Sequence, residues 1–64
     1  MFKYAKDLKK GEEIKIHLGV LSYPTYHKII SLYEENETMV VVVKMGKDPE
    51  EFEYPVNRIV EVMD

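Results

Sequence analysis

Two apolar runs separated by a short polar stretch occupy the middle of the chain, and they constrain the fold more than any other feature. The first run spans residues 29–33, and the second spans residues 39–43 and includes four consecutive valines. Residues 34–38 between them are Glu-Glu-Asn-Glu-Thr, and Asn36 readily adopts the left-handed conformation that tight turns require. Because β-branched and aromatic residues bounded by turn formers are typical of strands, residues 26–45 predict a β-hairpin.

Both arms of this hairpin carry apolar side chains on both faces, so both faces need cover. In the second arm, Val40 and Val42 point to one side while Val41 and Val43 point to the other. A chain of 64 residues buries only about 60% of its unfolded surface, which makes a second subunit an expected source of cover. We therefore predict self-association through Val40 and Val42. The alternative is that the chain's own segments cover them.

The segments on either side of the hairpin add further elements. Residues 12–20 alternate apolar and polar side chains, which predicts a half-buried strand. At the amino end, apolar residues follow one another at a spacing of three before Gly11, which predicts a helix of about two turns within residues 1–11. An irregular lead-in that ends in a turn is the alternative.

The carboxyl-terminal third predicts a turn, two short strands and a helical turn. Residues 47–50 contain Asp-Pro and follow Gly46, which indicates the turn. Residues 51–54 alternate as a fourth strand, residues 56–58 predict a one-turn helix, and residues 59–63 predict a fifth strand.

This order of elements resembles the SH3-like and Sm-like small barrels. The resemblance lies in a lead-in that ends at KKGEEIKI, a long central hairpin, and a YPVNRIVEV segment that links the last two strands. It implies one all-β domain over residues 1–64: a small five-stranded barrel with a short amino-terminal helix or turn and a one-turn helix before the last strand. It implies no ligand, because the chain lacks Trp and the Asp and Asn signature of the Sm proteins. An OB-like barrel is the alternative.

The composition argues against catalysis and against a bound metal or other cofactor. The chain has no Cys, and His17 and His27 are too few for a structural zinc site. Neighbouring carboxylates such as Glu12 and Glu13 point to opposite faces of a strand and do not converge. We therefore expect no enzyme activity, no metal and no cofactor. Without an apolar run of about 20 residues or a signal peptide, we expect a cytoplasmic protein that makes no membrane contact.

A cluster of aromatic residues near the first strand connection is the best candidate for a binding site. It contains Tyr23, Pro24, Tyr26 and His27, and we expect Tyr54 to approach it if the sheet curls. Tyr offers a large contact area and a hydroxyl, and it is enriched where proteins bind one another. We predict that these residues bind a protein partner, and a second copy of the chain is one such partner. The alternative is that Tyr23 and Tyr26 cap the core.

Lysines near the amino terminus support a rival function. The four lysines are interleaved with Phe2 and Tyr4, and cations beside exposed rings are typical of nucleic-acid binding: Lys3, Lys6, Lys9, Lys10. The net charge of −3 argues against this alternative. A third alternative is a small phage or accessory inhibitor that occupies another protein's surface.

Overall fold

The computed structural model describes residues 1–19 and 23–64, and within them the chain forms six strands and one 3₁₀ turn, Ala5–Asp7. The strands are β1 (Phe2–Tyr4), β2 (Glu13–Ile16), β3 (Thr25–Glu35), β4 (Thr38–Met45), β5 (Asp48–Pro55) and β6 (Ile59–Glu61). The predicted all-β class is confirmed. A four-stranded antiparallel sheet has the order β2-β3-β4-β5, and β1 pairs with β6 in a separate two-stranded sheet.

The predicted central hairpin is confirmed as β3 and β4. Its turn is tighter than predicted, because Glu35 already pairs with Thr38 across the strands. The two turn residues, Asn36 and Glu37, have φ of 51° and 60°. Positive φ at both central residues is the geometry that matches the right-handed twist of a two-residue hairpin.

A β-bulge at Ile30 explains why the first arm of the hairpin carries apolar residues on both faces. Ile29 lies opposite Val43, but the next pair is Ser31 with Val42, so Ile30 is the extra residue. A bulge shifts the alternation by one position. Ile29 is therefore buried, the half-buried Leu32 packs against the same core, and Ile30 is exposed.

The core lies between the two sheets. Ile14 of β2, Ile29 of β3 and Val41 of β4 are almost completely buried, and Val60 and Val62 cover them from the side of β6. The amino-terminal segment supplies part of the cover, as the two-sided hairpin required. The buried cluster consists of Ala5, Leu8, Ile14, Ile16, Ile29, Met39, Val41, Val43, Val60 and Val62.

The predicted two-turn helix within residues 1–11 is wrong. The segment forms β1 followed by the 3₁₀ turn, and the Ala5 N–H donates to the Arg58 carbonyl oxygen at 2.8 Å. A helix this short is unstable alone. Pairing with β6 instead satisfies the backbone groups of this segment that face β6, and Ala5 is buried. The alternative of an irregular lead-in is wrong for Phe2–Tyr4, which form a strand, but the turn that it predicted is present at Ala5–Asp7.

The elements near the carboxyl end also differ from those predicted, in type and in their bounds. Residues 56–58 form a turn rather than a helix, with the Arg58 N–H donating to the Pro55 carbonyl at 2.9 Å. Asp48 and Pro49 belong to β5, and the turn lies at Gly46, whose φ is 64°. Pro49 is tolerated because β5 is an edge strand of the sheet formed by the described residues, where one row of its backbone groups takes no part in the ladder.

The remaining predicted strands are present but shorter. Strand β2 covers Glu13–Ile16, and residue 20, where the prediction ended, lies outside the described residues. Strand β6 ends at Glu61, and Val62 forms an isolated bridge with Ile14 that joins the two sheets. In the described part of the chain, strand pairing does not close into a complete barrel.

Candidate protein-binding site

Strand β1 presents aromatic side chains to solvent because of how it pairs with β6. Phe2 lies opposite Glu61 and Tyr4 opposite Ile59, while Lys3 lies opposite the buried Val60. Successive side chains of a strand point to opposite faces, so Phe2, Tyr4 and Ile59 share the outer face. Their exposed fractions are 68%, 47% and 61%. We call these three residues the apolar patch.

The apolar patch borders a shallow groove of about 410 Å³. Lys3 and Asp7 complete its lining, which is mostly apolar. The Lys6 ammonium lies 5.7 Å from the centre of the Tyr4 ring, within the range of a cation–π contact. The groove therefore offers apolar contact area with few groups to desolvate.

A transverse row of residues connects the apolar patch to the predicted aromatic site. Glu61 lies beside Phe2, the Ile14–Val62 bridge places Lys15 next to Glu61, and Lys15 pairs with Tyr26. The Tyr26 hydroxyl donates to Glu61 Oε2 at 3.0 Å, and Lys15 Nζ lies 3.4 Å from Glu61 Oε1. The outer surface is thus continuous from β1 across β6 and β2 to β3.

The hydrogen bond between Tyr26 and Glu61 shifts the pKa of both groups. Donation by the Tyr26 hydroxyl lowers the pKa of the Glu61 carboxyl, and Lys15 lowers it further. The same bond raises the pKa of the Tyr26 hydroxyl, because loss of its proton would leave two anions in contact. Tyr26 therefore stays a donor to Glu61, the residue that lies opposite Phe2.

The other residues of the predicted aromatic site lie at the surface beside Tyr26. The Tyr23 side chain is 90% exposed and Pro24 is also exposed, so the alternative that Tyr23 caps the core is wrong. His27 is half-buried, and its Nε2 lies 2.6 Å from the Thr25 hydroxyl. Tyr26 is half-buried but lies outside the core cluster.

Tyr54 does not join this cluster. It pairs with Met39, which pairs with Glu34, so it lies near the opposite end of β3 from Tyr26. Tyr54 is half-buried against the core, and burial raises the pKa of its hydroxyl although Arg58 opposes the shift. The sheet thus separates Tyr54 from the other predicted binding residues.

The four amino-terminal lysines do not act as one cationic group. Lys3 forms an ion pair with Glu12, and Glu12 Oε1 also accepts a hydrogen bond of 2.7 Å from the Lys9 N–H. Partial burial raises the pKa of the Glu12 carboxyl. The hydrogen bonds from Lys3 and from the Lys9 amide, together with the positive charges of both lysines, outweigh this effect, so the pKa is lowered overall. Lys6 lies over Tyr4, and Lys9 and Lys10 are exposed.

The predicted self-association residues lie on the outer face of the large sheet. Val40 lies between Tyr33 and Glu53, and only 7% of it is exposed although it is outside the core cluster. Val42, between Ser31 and Glu51, is half-buried. A groove of about 280 Å³ over Val40 is lined mainly by polar side chains. Neighbours on the same sheet therefore already cover most of Val40.

The apolar patch is not predicted by the sequence. From the sequence, Phe2 is an apolar residue of the predicted helix, Phe2 and Tyr4 are rings between lysines, and Ile59 is part of a strand. The alternation of Phe2, Lys3 and Tyr4 was the available signal, since it fits a strand with an exposed aromatic face. Ile59 gave no local signal, because its exposure follows from its pairing with Tyr4.

The described residues also show two absences. Residues 1–19 and 23–64 contain no group of three or more His, Cys, Asp or Glu placed to hold a metal ion. None of the helices in that same part of the chain has the length and apolar character to cross a membrane. Comparison with known proteins found no matching family model, no matching curated sequence and no matching solved structure.

Proposed function

We propose that this protein is a non-enzymatic binding module that recognises another protein through the apolar patch and the adjoining Tyr26. The observation that carries the proposal is the exposure of Phe2, Tyr4 and Ile59 on neighbouring strands. Large contiguous apolar surfaces on soluble proteins often mark interaction sites, and three neighbouring exposed apolar side chains support such a site here. Aromatic residues at the centre and polar residues at the margin are the usual anatomy of a protein interface.

The charges around the apolar patch favour a protein partner over nucleic acid. Asp7 and Glu61 flank the patch, and a phosphate backbone there would meet two carboxylates. The charge of Lys3 is already compensated by Glu12, and the net charge of the chain is −3. Among the described residues, the contact of the Lys6 ammonium with the Tyr4 ring favours nucleic acid, and bound nucleic acid is therefore measured as well as bound protein.

We propose further that the six strands have the connectivity of an SH3-like or Sm-like barrel. Three features support this: the bulged β3 is long enough to bend between sheets, a turn precedes the last strand, and the Ile14–Val62 bridge brings the last strand beside β2. A cytoplasmic location belongs to the same proposal, since the chain has no Cys for disulfides.

The experiment is capture from a lysate of the cells that produce the protein, with bound protein and nucleic acid quantified separately. The double variant Phe2→Ser with Ile59→Ser removes most of the apolar patch. Tyr33→Ser is the matched control, because Tyr33 is half-exposed on the outer face of the large sheet. Circular dichroism verifies that each variant folds.

We expect the wild type and Tyr33→Ser to capture the same protein in equal amounts. The double variant should capture at least tenfold less of that protein. Equal capture by the double variant would overturn the proposal, as would loss with Tyr33→Ser alone. Capture of nucleic acid that falls steeply between low and moderate salt, without a protein, would favour the rival function.

A further inference from the structure

Strand β1 has an edge that faces away from β6, and among the described residues the hydrogen-bonding groups on it have no partners. The Val62 N–H donates to the Met1 carbonyl at 2.7 Å and the Ala5 N–H donates to the Arg58 carbonyl, so Met1, Lys3 and Ala5 face β6. By alternation, the Phe2 and Tyr4 N–H groups and the Phe2 carbonyl face away from β6. Within residues 1–19 and 23–64, no backbone group pairs with these three.

We propose that the edge of β1 pairs with β1 of a second copy of this chain, antiparallel, with Phe2 of each copy opposite Tyr4 of the other. The inference rests on the proposed function, since it uses the same strand that presents the apolar patch. A strand edge with free donors and acceptors accepts another strand. Pairing through the edge leaves the outer face of each β1 strand exposed. The apolar patches of the two copies then form one larger binding face.

A second copy fits this edge because the edge is self-complementary. The free donor at Tyr4 and the free acceptor at Phe2 are two residues apart on one strand. A two-fold axis at Lys3 therefore lets each Tyr4 N–H donate to the Phe2 carbonyl of the other copy. The same register places Phe2 and Tyr4 of the two copies side by side on the outer face, as a cross-strand aromatic pair.

Lys3 limits the strength of this association. The two copies of Lys3 face each other across the axis on the opposite side of the sheet, but each is already paired with its own Glu12. The paired segment is only three residues long. The area that it buries is therefore well below the roughly 800 Å² per partner of a standard interface. We therefore expect weak association, with a dissociation constant between about 10 μM and 1 mM.

A pair of substitutions at Tyr4 isolates the backbone contact. Tyr4→Pro and Tyr4→Ala both remove the ring, but only proline removes the N–H. The Tyr4 φ of −71° matches the proline ring, and its N–H is not part of the ladder with β6. Both variants should therefore keep the fold, which an NMR spectrum of each verifies.

Sedimentation equilibrium from about 10 μM to 1 mM measures the outcome. We expect the wild-type mass to rise from 7.6 kDa towards twice that value. Tyr4→Ala should retain measurable association, and Tyr4→Pro should associate at least tenfold more weakly than Tyr4→Ala. A wild type that stays at 7.6 kDa throughout would overturn the proposal, as would equal association of the two variants.

Two further results keep this proposal separate from the proposed function. If Val42→Ser abolishes the dimer while Tyr4→Pro does not, the copies associate through the large sheet and the pairing of β1 is wrong. If Phe2→Ser with Ile59→Ser loses partner capture while Tyr4→Pro and Tyr4→Ala behave alike, the binding face is supported and only the dimer is overturned.

Discussion

The Tyr26 hydroxyl donates a hydrogen bond of 3.0 Å to Glu61, and this contact ties the third strand to the last one across β2. Lys15, which lies between them, contacts the same carboxylate. Tyr26, one of the predicted binding residues, is therefore bonded to Glu61, which lies opposite Phe2 of the apolar patch. The contact joins two regions of the chain into one surface.

Removal of this hydroxyl should change the titration of Glu61. In Tyr26→Phe we expect the pKa of Glu61 to rise towards its ordinary value, because the bond from Tyr26 is the largest influence that lowers it. Carboxyl ¹³C NMR over pH 2–7 measures the shift. Tyr33→Phe is the control and should leave Glu61 unchanged. An unaltered Glu61 titration in Tyr26→Phe would show that the contact is absent in solution.

Glu12 should contribute to the acid sensitivity of the fold. Its pKa in the folded state is lowered, so its contribution is complete above its unfolded pKa of about 4.3 and is lost as the pH falls through the lower folded value. Glu12→Gln should therefore be less stable than the wild type at pH 7, with a smaller difference near pH 2.

Urea unfolding at both pH values measures this difference. Glu50→Gln is the control, because Glu50 is exposed and has no ion-pair partner among the described residues. If Glu12→Gln shows the same loss of stability at pH 2 as at pH 7, the pairing of Glu12 with Lys3 does not stabilise the fold.

Two isoleucines separate the role of the core from that of the apolar patch. Ile14 is fully buried, so Ile14→Ala should cost about 2–5 kcal/mol through lost burial and a cavity. Ile59→Ala should change stability by less than about 0.5 kcal/mol, because Ile59 is largely exposed, but should weaken partner capture. Denaturant unfolding measures both. Equal destabilisation by the two substitutions would contradict the assigned burial.

The hairpin turn offers a stabilising substitution. Glu37 has a φ of 60°, a conformation that disfavours residues with a Cβ. Glu37→Gly should stabilise the protein by about 0.5–1 kcal/mol, because glycine adopts positive φ without this penalty. Thermal unfolding measures the gain. Asn36→Gly should gain less, since Asn tolerates the conformation, and a loss of stability in Glu37→Gly would contradict the turn geometry.

The elements that depend on local pattern could be predicted from the sequence, and those that depend on distant pairing could not. The hairpin and the alternating strand β2 follow from residues that are close in the chain. The first residues fit a helical period as well as a strand period, and only pairing with β6 decides between them. The bulge at Ile30 arises because β3 must place both Ile29 and Leu32 against the core.

The same distinction applies to the candidate site. Tyr23 and Tyr26 could be chosen from composition, since aromatic residues beside a proline indicate an exposed connection. The sequence also predicts Tyr54 nearby, but the register of β5 places it near the other end of β3. Ile59 belongs to the apolar patch because it lies opposite Tyr4. No pattern in the neighbouring sequence predicts this pairing.

Site-specific photo-crosslinking tests the central claim, recognition of a protein through the outer face of β1 and β6, most directly. Benzoylphenylalanine replaces Phe2 in one version of the protein and Tyr33 in a second, and both are irradiated in the cells that produce the protein. We predict a discrete protein adduct from position 2, lost when Ile59→Glu is added, and no such adduct from position 33. Adducts from position 33 alone, or from position 2 regardless of Ile59→Glu, would contradict the account.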